Sequence, residues 1–168
     1  MIWEKINTNL KRSVYEQSFW EGYISKFNKS KVMCSIHLGI FVNPYLKHIL
    51  EGKKTVESRF SINRIAPYKS VNTGDIILLK KSGGPVIGVS FAASAWYYEL
   101  DKNAWKEIKE NFSKQLCITG DKFWKSKSSA CYASLIQLEK TIQIEPFKVN
   151  KKDRRGWVVI RDQKKINF

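Results

Sequence analysis

Gly52-Lys53-Lys54-Thr55-Val56-Glu57-Ser58-Arg59 decides how this chain is read. It places a lysine, a carboxylate and an arginine within six residues, directly after a short helical pattern and inside a strand-like run. Charges avoid strand interiors unless they are paired or at work, because an unpaired buried ion is costly. The preceding segment reads as a helix. Asn43 supplies a cap, Pro44 suits the first helical position, and Tyr45, Leu46, Ile49 and Leu50 form an apolar stripe. Gly52 ends it, since a left-handed terminal residue is cheapest as glycine. The chain then alternates, with Thr55, Glu57 and Arg59 on one face and Val56 and Ser58 on the other.

Downstream, Ile76, Ile77, Leu78 and Leu79 are apolar on both faces of a strand and predict a central one. The turn Lys81-Ser82-Gly83-Gly84-Pro85 leads into a strand over 86–96. A connection this short joins only antiparallel strands, which argues against a parallel α/β fold. Asp101 caps a helix whose stripe is Trp105, Ile108, Phe112 and Leu116, and a short helix follows up to Lys125. Tyr132, Ile136, Leu138, Ile142 and Ile144 predict one long or bent strand. Upstream, residues 32–41 read as a first strand. Residues 1–30 read as helical: Ile2, Ile6, Leu10 and Val14 fall four apart, as do Tyr15, Phe19, Tyr23 and Phe27, with a bend at Gly22. This stripe is expected to dock on the strands as an extra layer.

These motifs carry a resemblance. Gly52-x-Lys54-x-x-Glu57-x-Arg59 resembles the signature of the ASCH family (activating signal cointegrator homology). Residues 74–79, 84–88 and 156–160 are similar to that family's successive strands, and the resemblance spans roughly residues 35–160. It implies a PUA-like fold: an α+β chain with an antiparallel or mixed β-barrel flanked by helices, here with an N-terminal helical extension. The expected layout is an amphipathic extension over 1–31, the barrel domain over 32–162 and a polar tail over 163–168. The family holds RNA-binding modules and enzymes. In one branch, the lysine matching Lys54 is implicated in hydrolysing the acetyl amide of N4-acetylcytidine, with a threonine where this chain has Glu57. That departure weighs against this particular amidohydrolase activity. Other members resemble ribonucleases that use lysine, tyrosine and serine, roles that Tyr45, Lys54 and Ser128 or Ser129 would fill here.

Net charge is +15, from 30 Lys and Arg against 15 Asp and Glu. A field of that sign attracts polyanions and makes association with nucleic acid salt-sensitive. The basic residues cluster at Lys53-Lys54, at Lys80-Lys81 and over 148–155. No apolar run approaches the length of a membrane span. The N-terminus lacks the order of a signal peptide, and Cys34, Cys117 and Cys131 are scattered, so a cytoplasmic protein with reduced, mostly buried thiols is expected. Neither metal nor cofactor is expected; His37 and His48 stand alone, and His37 reads as a hydrogen-bonded core residue.

The expected partner is RNA or a nucleotide-like ligand. It would be held in a cleft at Lys54, Glu57 and Arg59, with Lys53, Arg64, Lys80, Lys81, Ser82, Lys151, Lys152, Arg154 and Arg155 meeting the backbone. Tyr68 and Lys69, beside Arg64, add an aromatic surface for an unstacked base. Residues 81–84 offer either an anion nest or a plain turn. Alternatively, Lys54 and Glu57, with Thr55 as hydroxyl partner, would serve a metal-independent hydrolase. A third reading is an interaction scaffold that uses the N-terminal helix.

Overall fold

Residues 76–79 lie at the centre of the molecule, each fully buried, and they divide by parity. Ile76 and Leu78 pack into one hydrophobic cluster, Ile77 and Leu79 into another. A strand does this only when both faces of its sheet are covered. The computed structural model, which describes residues 2–152 and 154–163, shows what covers them.

The chain runs α1 (Ile2–Ser13), α2 (Ser18–Asn28), β1 (Ile36–Phe41), α3 (Tyr45–Leu50), β2 (Val56–Ser61), β3 (Ile76–Lys81), β4 (Val86–Glu99), α4 (Lys102–Phe112), α5 (Lys122–Ser126), β5 (Tyr132–Phe147) and β6 (Trp157–Arg161). Six strands form one sheet in the order β2-β5-β4-β3-β1-β6. β1 and β3 pair in parallel and every other pair is antiparallel, so the sheet is mixed. It curls into a half-barrel. The β3–β4 pair closes through the predicted turn, where Gly84 N–H donates to Lys81 O. The predicted long strand is β5, bent by register shifts along β4. The first strand begins at Ile36, later than the pattern from residue 32 suggested.

α1 and α2 cover the outer face. Ile6, Leu10 and Val14, with Trp20, Ile24 and Phe27, join Ile36, Leu38, Val86, Val89 and Ile144 in one cluster. Most of the amphipathic stripe is thus buried within the chain, while Ile2, Tyr15 and Phe19 stay exposed. Trp20 Nε1 donates to Lys140 O at 2.6 Å and Tyr23 Oη to Gly74 O at 2.6 Å, fixing the layer in register. The helical segment breaks at Glu16, whose φ is 68°, and not at Gly22, which lies inside α2. A glycine only weakens a helix, whereas a left-handed residue interrupts it.

On the inner face, Leu46 and Ile49 of α3 pack with Ile77, Leu79, Ile136, Leu138 and Trp157. α4 and α5 bury Ile108 and Trp124 against Val56, Ala133 and Leu135, joined by Leu116, which was expected on the α4 stripe but lies in the turn after the helix ends at Phe112. Asp101 caps α4 as predicted, accepting from Ala104 N–H at 2.8 Å.

A buried polar network knits the first strand to the last. Asp75 accepts from Ser35 N–H at 2.7 Å, Asn72 N–H at 2.8 Å and His37 Nε2 at 3.0 Å. Trp157 Nε1 donates to His37 Nδ1 at 3.1 Å, so the imidazole proton sits on Nε2. His37 is therefore a satisfied core residue. Of the three free thiols only Cys34 is buried; Cys131 is exposed, against expectation. No helix among the described residues is long and apolar enough to cross a membrane. Most of the expected tail, 164–168, and Asp153 within the basic 148–155 run lie outside the described residues.

Candidate functional site

The end of α3 aims the signature lysine. Gly52 takes φ +74°; its N–H donates to Ile49 O at 3.0 Å and that of Lys53 to His48 O at 2.9 Å. This glycine-terminated pattern reverses the chain within two residues. Pro44 precedes α3 instead of opening it, and Asn43 Oδ1 accepts from Lys47 N–H at 3.3 Å. The chain then turns inward. Thr55 and Val56 N–H both donate to Gln115 O, which ties the start of β2 to the segment after α4.

Lys54 is buried, 4% exposed, and Glu57 is 6% exposed. Lys54 Nζ lies 2.7 Å from Val56 O, 3.4 Å from Leu116 O and 3.3 Å from Glu57 Oε2. An ammonium has three donors, and each has an acceptor. Glu57 Oε1 accepts from Arg59 Nε at 2.7 Å. Arg59 then crosses to the far side of the curled sheet, where Nη1 donates to Gly156 O at 3.0 Å and Nη2 to Ile40 O at 2.8 Å. Its guanidinium lies 4.9 Å from the Phe41 ring centroid and 5.2 Å from that of Trp157. Pairing plus hydrogen bonding is what makes three charges tolerable at this depth.

A cleft of about 370 Å3 opens on this network. Lys54, Glu57 and Arg59 form its polar floor, and Phe41, Tyr45, Phe60 and Phe123 supply rings around it. Tyr45 lies with its ring centroid 5.6 Å from Lys54 Nζ. Two cations against one carboxylate leave the floor with one excess positive charge, and Lys127 adds another at the wall. In so sheltered a place that excess acts strongly on an entering anion.

The remaining predicted residues lie elsewhere. Thr55 is exposed and does not line the cleft. Lys53 is exposed and pairs with Glu51 at 2.8 Å, which raises the lysine pKa and lowers that of the carboxyl. Arg64 pairs with Glu99 at 2.7 Å and lies 5.2 Å from the Tyr132 ring, with Tyr68 packed against Tyr132 and Lys69 over Tyr68. Lys80 Nζ donates to Gly84 O, and Lys81 is exposed. Ser82 N–H donates to Phe41 O at 2.8 Å and Gly84 N–H to Lys81 O at 2.9 Å, so two of the amides an anion nest would use are already engaged within the fold. Lys80, Lys148, Lys151 and Lys152 line a second, basic groove of about 620 Å3. Arg154 and Arg155 are exposed ahead of β6. Ser128 and Ser129 do not line the Lys54 cleft.

Phe60, Phe123 and Lys127 are site residues that the sequence reading missed. Phe60 had a signal, since it directly follows Arg59 in the signature strand. Phe123 and Lys127 had none, because only the packing of α5 brings them to β2.

Solved structures share this architecture. The ASCH protein from Zymomonas mobilis matches with a TM-score of 0.60 at 14% identity, over 75% of this chain and 87% of that one. A serine-to-alanine variant of the Zymomonas mobilis protein gives 0.61 at 15% identity, over 77% and 90%. A protein from Enterococcus faecalis V583, of the family model DUF984, gives 0.51 at 10% identity, over 86% and 99%. No family model and no curated protein matches the sequence. The chain has an ASCH-domain fold.

Proposed function

We propose that this protein binds RNA and seats one unpaired nucleotide in the cleft over Lys54, Glu57 and Arg59. The observation that carries the reading is a buried network with one excess positive charge at the floor of a hollow walled by aromatic rings. Rings accept the face of a base, the cationic floor favours its phosphate, and the unused lone pairs of Glu57 accept from base amino groups. Lys53, Arg64, Lys80, Lys81, Ser82, Lys151, Lys152, Arg154 and Arg155 serve the backbone, setting affinity and salt slope without reading sequence. The resemblance of the signature strand to the ASCH family points the same way.

Binding is favoured over hydrolysis by the state of Lys54. Its Nζ is held by Val56 O, Leu116 O and Glu57, which suits a side chain fixed in place beneath a ligand. Thr55, the hydroxyl partner a hydrolase would use, is exposed and does not line the cleft.

Fluorescence anisotropy with a labelled single-stranded RNA tests the reading. Affinity is expected to fall steeply between 50 and 300 mM salt, values chosen to span roughly the range where counterion release dominates. It should fall at least about tenfold further in Lys54→Ala, with folding checked by circular dichroism. Salt-insensitive binding, or a folded Lys54→Ala that binds as well as wild type, overturns it. Incubation with RNA and acylated cytidine in EDTA should return both unchanged. Turnover lost in both Lys54→Ala and Glu57→Gln would assign the cleft hydrolytic chemistry instead.

A further inference from the structure

The groove between α4 and α5 is a further hollow, of about 500 Å3, that no part of the function above uses. Its floor is indole: Trp105, half-buried, and Trp124. Its rim is cationic. Lys102, Lys106 and Lys109 stand against one carboxylate, Glu110, which lies 3.9 Å from Lys106. Lys109 Nζ sits 6.0 Å from the Trp105 ring centroid and 5.7 Å from that of Trp124. Trp124 is buried in the core, whereas Trp105 is only half-buried, and Lys109 is an exposed side chain that lies over the indoles on the groove side.

The position of this groove is the informative part. Trp105 stacks on Phe60 with centroids 5.3 Å apart and planes at 9°, and Phe60 lines the first cleft. Phe123 lines the first cleft and Trp124 the groove, their rings in edge contact at 5.2 Å. Lys127 belongs to the first hollow and Ser128 to the second. The two hollows are therefore back to back, separated by a wall two rings thick, with Phe60 and Phe123 on the cleft side and Trp105 and Trp124 on the groove side.

We propose that the α4–α5 groove is a second base-stacking subsite, which takes the nucleotide next to the one held over Lys54, with Trp105 as its platform. Two hollows that share an aromatic wall suit two adjacent unstacked bases of one strand, and the lysine rim favours the phosphate that joins them. An acidic peptide would satisfy the lysines but leave the indole face without a flat partner. The polynucleotide identity rests on the cleft reading above; the groove itself does not.

The test compares a ribonucleoside monophosphate, a dinucleotide and a tetranucleotide, read by titration calorimetry and tryptophan fluorescence. Wild type is expected to gain about tenfold or more in affinity from mononucleotide to dinucleotide, with indole quenching only for the longer ligands. Trp105→Phe should remove the quenching. Lys106→Glu/Lys109→Glu, which changes only exposed side chains, should remove the length-dependent gain and leave mononucleotide affinity within about twofold. No gain with length, or a gain untouched by the lysine pair, overturns the subsite. A loss confined to Lys54→Ala overturns the groove and leaves the cleft reading standing. A loss confined to the groove variants sustains the groove and sinks the cleft reading. Equal displacement of the dinucleotide by poly-glutamate assigns the groove to acidic chains and overturns the subsite.

Discussion

Arg59, on one edge strand of the sheet, lies 5.2 Å from the ring of Trp157, on the other. β2 and β6 sit at opposite ends of the strand order, so this contact exists only because the sheet curls. The same arginine donates to Gly156 O and Ile40 O and holds Glu57 at its other end. Arg59 is both a clasp on the half-barrel and part of the cleft floor.

Arg59→Lys tests the clasp. An ammonium cannot donate in three directions from one planar fork, so the bonds to Glu57, Ile40 and Gly156 cannot all persist. Stability measured by urea denaturation should fall by about 2–4 kcal/mol. An unchanged midpoint would show that the curl does not depend on this side chain.

Lys54 and Glu57 should behave as a coupled pair. Lys54→Met leaves two carbonyls and a carboxylate oxygen short of a donor and is expected to cost about 3 kcal/mol. Glu57→Gln weakens two ion pairs at once. The double variant should be less destabilised than the sum by at least about 1 kcal/mol, measured by denaturation of all four proteins. Additive losses would mean that the 3.3 Å contact carries no mutual stabilisation.

The protein should lose stability in alkali. Burial raises the Tyr23 and Tyr97 hydroxyls above their ordinary 10.0, pushes Tyr98 up to about 12, and pushes the Cys34 thiol from 9.0 up to about 12, where Asp75 adds to the effect. An acid whose pKa is raised by folding holds its proton longer in the native state. Its stabilisation is complete below the unfolded value and is lost as pH climbs through the folded one. Tm should therefore decline from about pH 9 upward. Tyr23→Phe, which removes one of these groups along with its bond to Gly74, should lower Tm at neutral pH and make the alkaline slope shallower.

The helical layer should be integral to the core. Leu10 is fully buried among Trp20, Ile36, Leu38 and Ile144. Leu10→Ala should cost about 2–5 kcal/mol, with the upper end expected if the outer face cannot collapse into the space. A cost below about 0.5 kcal/mol would mean that α1 docks only loosely.

Much of this was legible in the chain. Gly52, the Asp101 cap and the doubly apolar residues 76–79 each carry a local signal with one cheap structural solution, and each appears where that signal puts it. The break at Glu16 was not legible, because a glutamate at positive φ has no compositional mark and Gly22 offered a stronger but irrelevant one. The Lys54–Glu57–Arg59 spacing showed that three charges gather; it could not show that Arg59 reaches two backbone carbonyls across the sheet. The far wall of the cleft was also hidden, since Phe123 and Lys127 meet β2 through packing and not through any pattern of their own. Thr55 alternates correctly with Glu57 on paper, but it precedes the first residue of β2, so strand parity does not govern it.

The bond from Arg59 to Gly156 spans 97 positions of chain. During synthesis on the ribosome, β2 emerges well before β6, so Arg59 must wait for Gly156 before it finds that acceptor. Nascent chains generally order themselves from the N-terminus as they lengthen. Here the helical outer layer cannot follow that order, because α1 and α2 pack on Val86, Val89 and Ile144, and the Arg59 clasp closes only once β6 has joined β1.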